Sequence, residues 1–289
     1  MRMLILAIVF ALSNLLPVYS RGAQEMHLVN VQEFASNQID AITVMYGSGR
    51  VNLFHTDTDA IIVREFVNRS NGDYFARITN WDGILTVEAG NRPLRGRRNF
   101  NRYIEIAVPS GKIITVTTSS GRIEANDTIV ASSINLESSS GSISLNRIVA
   151  EKINLRAASG SIRGGEIIGN TTVESRSGSI DLGLVSGTIN ARTSSGSFRS
   201  TVTENTGDIT IATSSGSVRL DIPRDLVFNF SSRTSSGSLN TPFSERLFSP
   251  IDDRRSVHGV IGDSDIHAEE RRNIDINTSS GSININWAE

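Results

Sequence analysis

Aliphatic and polar residues alternate along this chain in short arms, and the arms meet at a recurring glycine. Ile134 and Leu136 stand seven and five residues before Gly141, and Ile143 and Leu145 stand two and four after it. The same spacing places Ile114 and Val116 before Gly121, Ile153 and Leu155 before Gly160, and Ile209 and Ile211 before Gly216. It places Ile180 and Leu182 after Gly178, Val218 and Leu220 after Gly216, and Ile283 and Ile285 after Gly281. Period two within an arm predicts a half-buried β-strand. The arms are seven residues apart, an odd number, so the corner must reset the alternation. Glycine there suits a backbone of positive φ.

The corner recurs as TSSGRIEA from Thr118, SSSGSISL from Ser138, AASGSIRG from Ala157, SRSGSIDL from Ser175 and TSSGSFRS from Thr193. It continues as TSSGSVRL from Thr213, TSSGSLNT from Thr234 and TSSGSINI from Thr278. The corner glycines are Gly121, Gly141, Gly160, Gly178, Gly196, Gly216, Gly237 and Gly281, at steps of 20, 19, 18, 18, 20, 21 and 44. So regular a step is an architectural period. The final double step predicts a degenerate coil or an insertion. A meander of hairpins has no reason to repeat one tripeptide every second strand, whereas stacked coils align identical corners. The expected fold is therefore all-β: a β-solenoid, parallel β-helix-like, of about 19-residue coils, preceded by a more irregular β part.

The front half fits that expectation. Ile42, Val44, Val51 and Leu53 flank an irregular corner at Tyr46-Gly47-Ser48-Gly49; Ile61–Val63, Ile84–Val87 and Tyr103–Val108 read as further strands. Asn71-Gly72 and Asp82-Gly83 are tight-turn candidates. Residues 1–20 read as a secretory signal peptide: Arg2 is the positive start, Leu4–Leu16 the apolar run, Pro17 the break, and Val18-Tyr19-Ser20 the cleavage site. That run is shorter than the roughly 20 residues of a spanning anchor. The expected division is 21–38 as a lead-in and 39–289 as a single domain. Within it, 39–110 form the irregular β part, 111–240 the regular coils, 241–272 an insertion and 273–289 the last coil.

Composition narrows the function classes. With no cysteine among 289 residues, disulfides, thiolate metal sites and lipid attachment at a cysteine are excluded. A net charge of −2 argues against nucleic acid as a partner, and 6% aromatics disfavours a stacking surface for sugars or bases.

The corner YGSGRVNLF from Tyr46, the strand RYIEIAVPSGK from Arg102, the serial Ser-Gly-Ser units and the late GVIG followed by IDINTSSGSININ together resemble the bacterial putative-adhesin family of unknown function, over about residues 39–287. The resemblance implies a β-solenoid-like fold and an exported location. Some relatives take part in envelope-stress sensing, so the family leaves adhesion and sensing both open.

Candidate chemistry is sparse. There is no G-x-S-x-G elbow for a serine nucleophile. His27, His55, His258 and His267 form no close pair for zinc, so neither a catalytic residue, a metal nor a cofactor is expected. A polysaccharide-acting β-helix enzyme needs converging carboxylates. Asp181, Asp208 and Asp221 fall at different phases of the repeat, and Asp252-Asp253 and Asp263-x-Asp265 lie in the insertion. One charged cluster invites a binding role: Arg92, Arg95, Arg97, Arg98 and Arg102, a basic loop for peripheral contact with an anionic membrane or polymer. The leading expectation is an exported, non-enzymatic envelope protein, periplasmic, at the cell surface or secreted. It would present a repetitive polar surface to an envelope component or surface ligand. An envelope-stress sensor and a glycan-acting enzyme are the alternatives. An open solenoid end invites end-to-end self-association, and Trp287 is placed to cover one.

Overall fold

The computed structural model describes residues 25–69, 71–94, 99–243, 256–262 and 271–288. Its strands are β1 (His27–Ala35), β2 (Ala41–Met45), β3 (Arg50–His55), β4 (Ala60–Val67), β5 (Arg77–Trp81), β6 (Ile84–Glu88), β7 (Arg102–Val108) and β8 (Lys112–Thr118). Then come the long, bent strands β9 (Ile123–Ser138), β10 (Ile143–Ala157), β11 (Ile162–Ser175), β12 (Ile180–Thr193) and β13 (Phe198–Thr213). The chain closes with β14 (Val218–Ile222), β15 (Phe228–Thr234), β16 (Leu239–Asn240), β17 (Ser256–Ile261), β18 (Arg272–Thr278) and β19 (Ile283–Trp287). The architecture is all-β, and the repeats stack as the parallel coils of a solenoid. In β10, Ile143 pairs Ile123 on one side and Ile162 on the other, and Leu155 pairs Leu136 and Val173.

The coils built on β9 to β13 have three straight runs, one more than the two arms legible in sequence. In β10 the inward residues are Ile143 and Leu145, then Ile148 and Ala150, then Ile153, Leu155 and Ala157. The alternation resets twice, where the pairing slips between Leu145 and Arg147 and between Val149 and Lys152. The extra run stacks Ile129, Ile148, Ile167, Val185 and Val202 in register. Sealed columns of this kind make truncation costly: Leu155→Ala should lower stability by about 2–5 kcal/mol in urea unfolding.

The Ser-Ser-Gly corners lie in file, but not for the conformational reason expected. None of the eight glycines has a positive φ; that conformation occurs elsewhere, as at Gly169 and Gly187 on a different corner of the coil. The requirement is closeness. A Cβ at Gly141 would overlap the carbonyl oxygen of Gly121, one at Gly160 that of Gly141, and one at Gly178 that of Gly160. The residue three before each of these glycines is buried, and at several corners its hydroxyl closes the turn. Ser138 Oγ accepts from the Gly141 N–H at 2.9 Å, and Thr193, Thr213 and Thr278 do the same for Gly196, Gly216 and Gly281 at 3.0–3.1 Å. Buried Thr or Ser at the head of the unit thus satisfies an interior donor that would otherwise be unpaired.

Stacking order departs from chain order at both ends. The glycines succeed one another as Gly49, Gly121, Gly141, Gly160, Gly178, Gly196, Gly216, Gly281 and Gly237. The last coil, β18–β19, is therefore seated between β13–β14 and β15–β16. Between Gly237 and Gly281 the chain passes through the antiparallel β17 and returns to this inner position. Symmetrically, β2–β3 lies between β6–β7 and β8–β9. Antiparallel strands finish the ends: β5 on β6, β4 on β7 and β1 on β4 at one, and β17 on β15 at the other. Phe228, Phe230 and Phe243 form an aromatic plug at the second end, with the Trp287 ring centroid 5.5 Å from that of Phe243.

Candidate functional site

One member of the basic loop, Arg102, is not a surface residue. Arg102 opens β7 in phase with Ile104, Ile106 and Val108, and strand alternation carries it inward to 7% exposure. Its guanidinium lies 5.0 Å from the Tyr46 ring centroid and 5.8 Å from that of Phe100, and donates to the Gly90 carbonyl at 2.8 Å. This arginine is an interior group and is removed from any exposed docking cluster. Arg92 is exposed, and Arg95, Arg97 and Arg98 lie outside the described residues.

Beside Arg102 sits Glu65, fully buried because it shares the inward phase of Ile61, Val63 and Val67 on β4. Its Oε1 accepts from the Tyr46 hydroxyl at 3.0 Å and its Oε2 from the Ala76 N–H at 2.6 Å. Burial pushes the Glu65 carboxyl above its ordinary value, against the downward pull of those two bonds and of Arg102. Burial likewise raises the Tyr46 phenol and lowers the Arg102 guanidinium. These groups tie the turn around Ala76 and the segment at Gly90 to the end of the solenoid, a structural clasp. A carboxyl with a raised folded pKa favours folding below its unfolded value, and that contribution is lost as pH rises through the folded value. Glu65→Gln should therefore flatten the fall in stability from about pH 4.5 upward, as read by urea midpoints across pH.

The acids and histidines are dispersed. Asp181 sits in register between Arg163 and Arg199. Asp208 accepts from the Asn273 N–H at 2.8 Å, and Asp221 accepts from the Asn286 side chain at 2.6 Å, so both hold the inserted last coil. His55 lies 3.0 Å from Asp57. Among the described residues no three His, Asp or Glu side chains group closely enough to hold a metal ion. Asp252, Asp253, Asp263, Asp265 and His267 lie outside those residues.

A groove of about 770 Å³ runs along the approach to the Ser-Ser-Gly corners. Parallel register builds it. The outward residue four before each corner glycine forms one column, running Glu137, Arg156, Glu174 and Arg192, then through Ala212 and Asn277 to Arg233. Ser139, Ala158, Arg176, Ser194 and Ser214 line its corner side. Arg156 pairs with Glu174 at 3.3 Å. The side chains of Arg176, Arg192 and Arg233 are exposed and have no hydrogen-bond or ion-pair partner among the described residues. Sequence reading missed this site. Its signal was an arginine four before Gly160, Gly196 and Gly237, a charge in constant phase with the repeat.

A parallel solenoid closed by antiparallel strands and lined with charged columns defines the class of repetitive all-β scaffolds. More particularly, residues 39–286 match the Toastrack DUF4097 family, and the chain belongs to that family. The fold is similar to that of a "putative adhesin" from Bacteroides fragilis NCTC 9343, with TM-score 0.53 and 12% identity over 91% of this chain and 98% of that one. It is also similar to a "putative adhesin" from Parabacteroides distasonis ATCC 8503, with TM-score 0.51 and 12% identity, again over 91% and 98%. A search of curated proteins found no match.

Proposed function

We propose that this protein is an exported, non-enzymatic component of the cell envelope that binds another surface through its repetitive polar faces, as an adhesin does. The observation that carries this reading is the groove column, in which residues far apart in sequence present charge at a fixed step along successive coils. Such a surface spreads contact energy over many equivalent positions, which suits a repetitive or extended ligand better than a small substrate. Further support comes from the adhesin names of the structurally similar proteins and from the apolar segment at Leu4–Leu16, which fits export.

The test is attachment. A strain lacking the protein, and the same strain with the chain restored, are compared for retention on immobilised envelope and host-surface material. Restored retention supports the reading. Unchanged retention accompanied by altered envelope-stress reporter output would replace adhesion with sensing.

A further inference from the structure

We infer that the groove beside the Ser-Ser-Gly corners is a binding site for a linear acidic polysaccharide, lying lengthwise across the coils with its carboxylates on Arg156, Arg176 and Arg192. The inference deepens the binding role proposed above and rests on it, since it names the ligand class for one face of the same scaffold.

Charge is the first ground. The groove holds Arg156, Arg176, Arg192 and Arg233 against Glu137 and Glu174, a local excess of positive charge in a chain whose net charge is −2. Among the described residues, Arg156 alone of the four has a carboxylate partner, and the Arg176, Arg192 and Arg233 guanidinium groups have none. Guanidinium binds carboxylate through two parallel N–H···O bonds, and a concave wall strengthens the pairing by limiting solvent.

Spacing is the second. Arg156 and Arg192 sit two coils apart in the same column, about 9–10 Å, and Arg176 lies at the intervening coil, displaced toward the corner. An extended pyranose chain advances by close to one coil spacing per ring. A polymer with an acid group on each ring can therefore meet successive arginines without bending.

The walls are the third. Ser139, Ser194 and Ser214 line the corner side, and their hydroxyls suit the hydroxyls of sugar rings, while the small side chain of Ala158 leaves room for a ring. No aromatic residue lines the groove among the described residues, so recognition would rest on charge and hydrogen bonding rather than on stacking. A membrane surface fits less well, because a flat array of headgroups meets protruding cations more readily than cations lining a groove.

The experiment uses the full chain and polygalacturonate of about ten rings, with dextran as the neutral control and vesicles containing phosphatidylglycerol as the competing anionic surface. Binding to polygalacturonate should weaken with added salt and be absent for dextran. The triple variant Arg156→Ser, Arg176→Ser, Arg192→Ser should bind at least about tenfold more weakly while keeping its urea midpoint, since all three side chains are exposed. Glu137→Gln should bind a few-fold more tightly, a gain that a damaged fold would not produce. Undiminished binding by the triple variant, or arginine-dependent binding to vesicles but not to polygalacturonate, overturns the inference. Attachment that depends on these arginines without polygalacturonate binding removes the ligand class and leaves the adhesive role standing. Attachment indifferent to the protein removes the role itself.

Discussion

Gly178→Ala should destabilise the protein by at least about 3–4 kcal/mol, or prevent folding outright, while Gly47→Ala should change stability by no more than about 0.5 kcal/mol. The contrast isolates closeness as the reason for glycine. A Cβ at Gly178 would overlap the carbonyl oxygen of Gly160 and come within 3.0 Å or so of the Ser161 nitrogen, both backbone atoms. No rotamer change relieves such a contact. The coils would have to part, loosening the bonds that cross the corner: Ser177 N–H to Ala158 O at 3.0 Å, and Ile162 N–H to Ser179 O at 3.0 Å. At Gly47 nothing lies within 4 Å of where a methyl group would stand and φ is not positive, so alanine fits. Urea midpoints followed by circular dichroism decide the matter. A Gly178→Ala protein as stable as the parent would mean that the coils are not in direct corner contact.

Removing residues 272–289 should cost more than the loss of an end coil. In a solenoid stacked in chain order, that truncation strips the outermost layer and leaves the rest intact. Here β18 and β19 stand between two other coils, and they bury Ile274, Ile276, Ile283 and Ile285 against both. Those four side chains alone represent on the order of 5–10 kcal/mol of burial. Their loss also strands Asp208 and Asp221 without Asn273 and Asn286. The truncated chain should therefore lose β15, β16 and β17 as a unit and become sensitive to proteolysis beyond Ile222. In the intact chain, amides of 274–278 should exchange with solvent as slowly as those of 209–213, because both are interior. Rapid exchange at 274–278, typical of a fraying terminus, would contradict the inserted order.

Much of this fold is written locally. The arms beside each corner alternate strictly, so their strands and their inward faces follow from period two. The middle run of the coils built on β9 to β13 was hidden for a physical reason. Its inward positions mix Ile148 and Ala150 with Gly169, Gly187 and Thr206, too small or polar to stand out as an alternating apolar run. Arg102 and Glu65 carried a readable signal that their charge obscured: each is in phase with aliphatic neighbours two and four residues along its strand. The groove was the least legible feature. Arg156, Arg176 and Arg192 are separated by 20 and 16 residues in sequence, and they become neighbours only when coils stack.

The sequence by itself determined that this chain forms β arms joined at glycine corners, that the arms are parallel coils, and which family it resembles, because alternation and repeat length are properties of single segments. Tertiary structure alone decided which coil sits on which. Every Ser-Ser-Gly corner offers nearly the same surface to the next, so local pattern cannot distinguish Gly237 from Gly281 as the neighbour of Gly216. The choice falls to the ends of the stack, where seating the last coil inside leaves β17 and the aromatic plug to close the edge. The charged groove follows from the same stacking, since charge in phase with a repeat becomes a line only when the repeats are laid on one another.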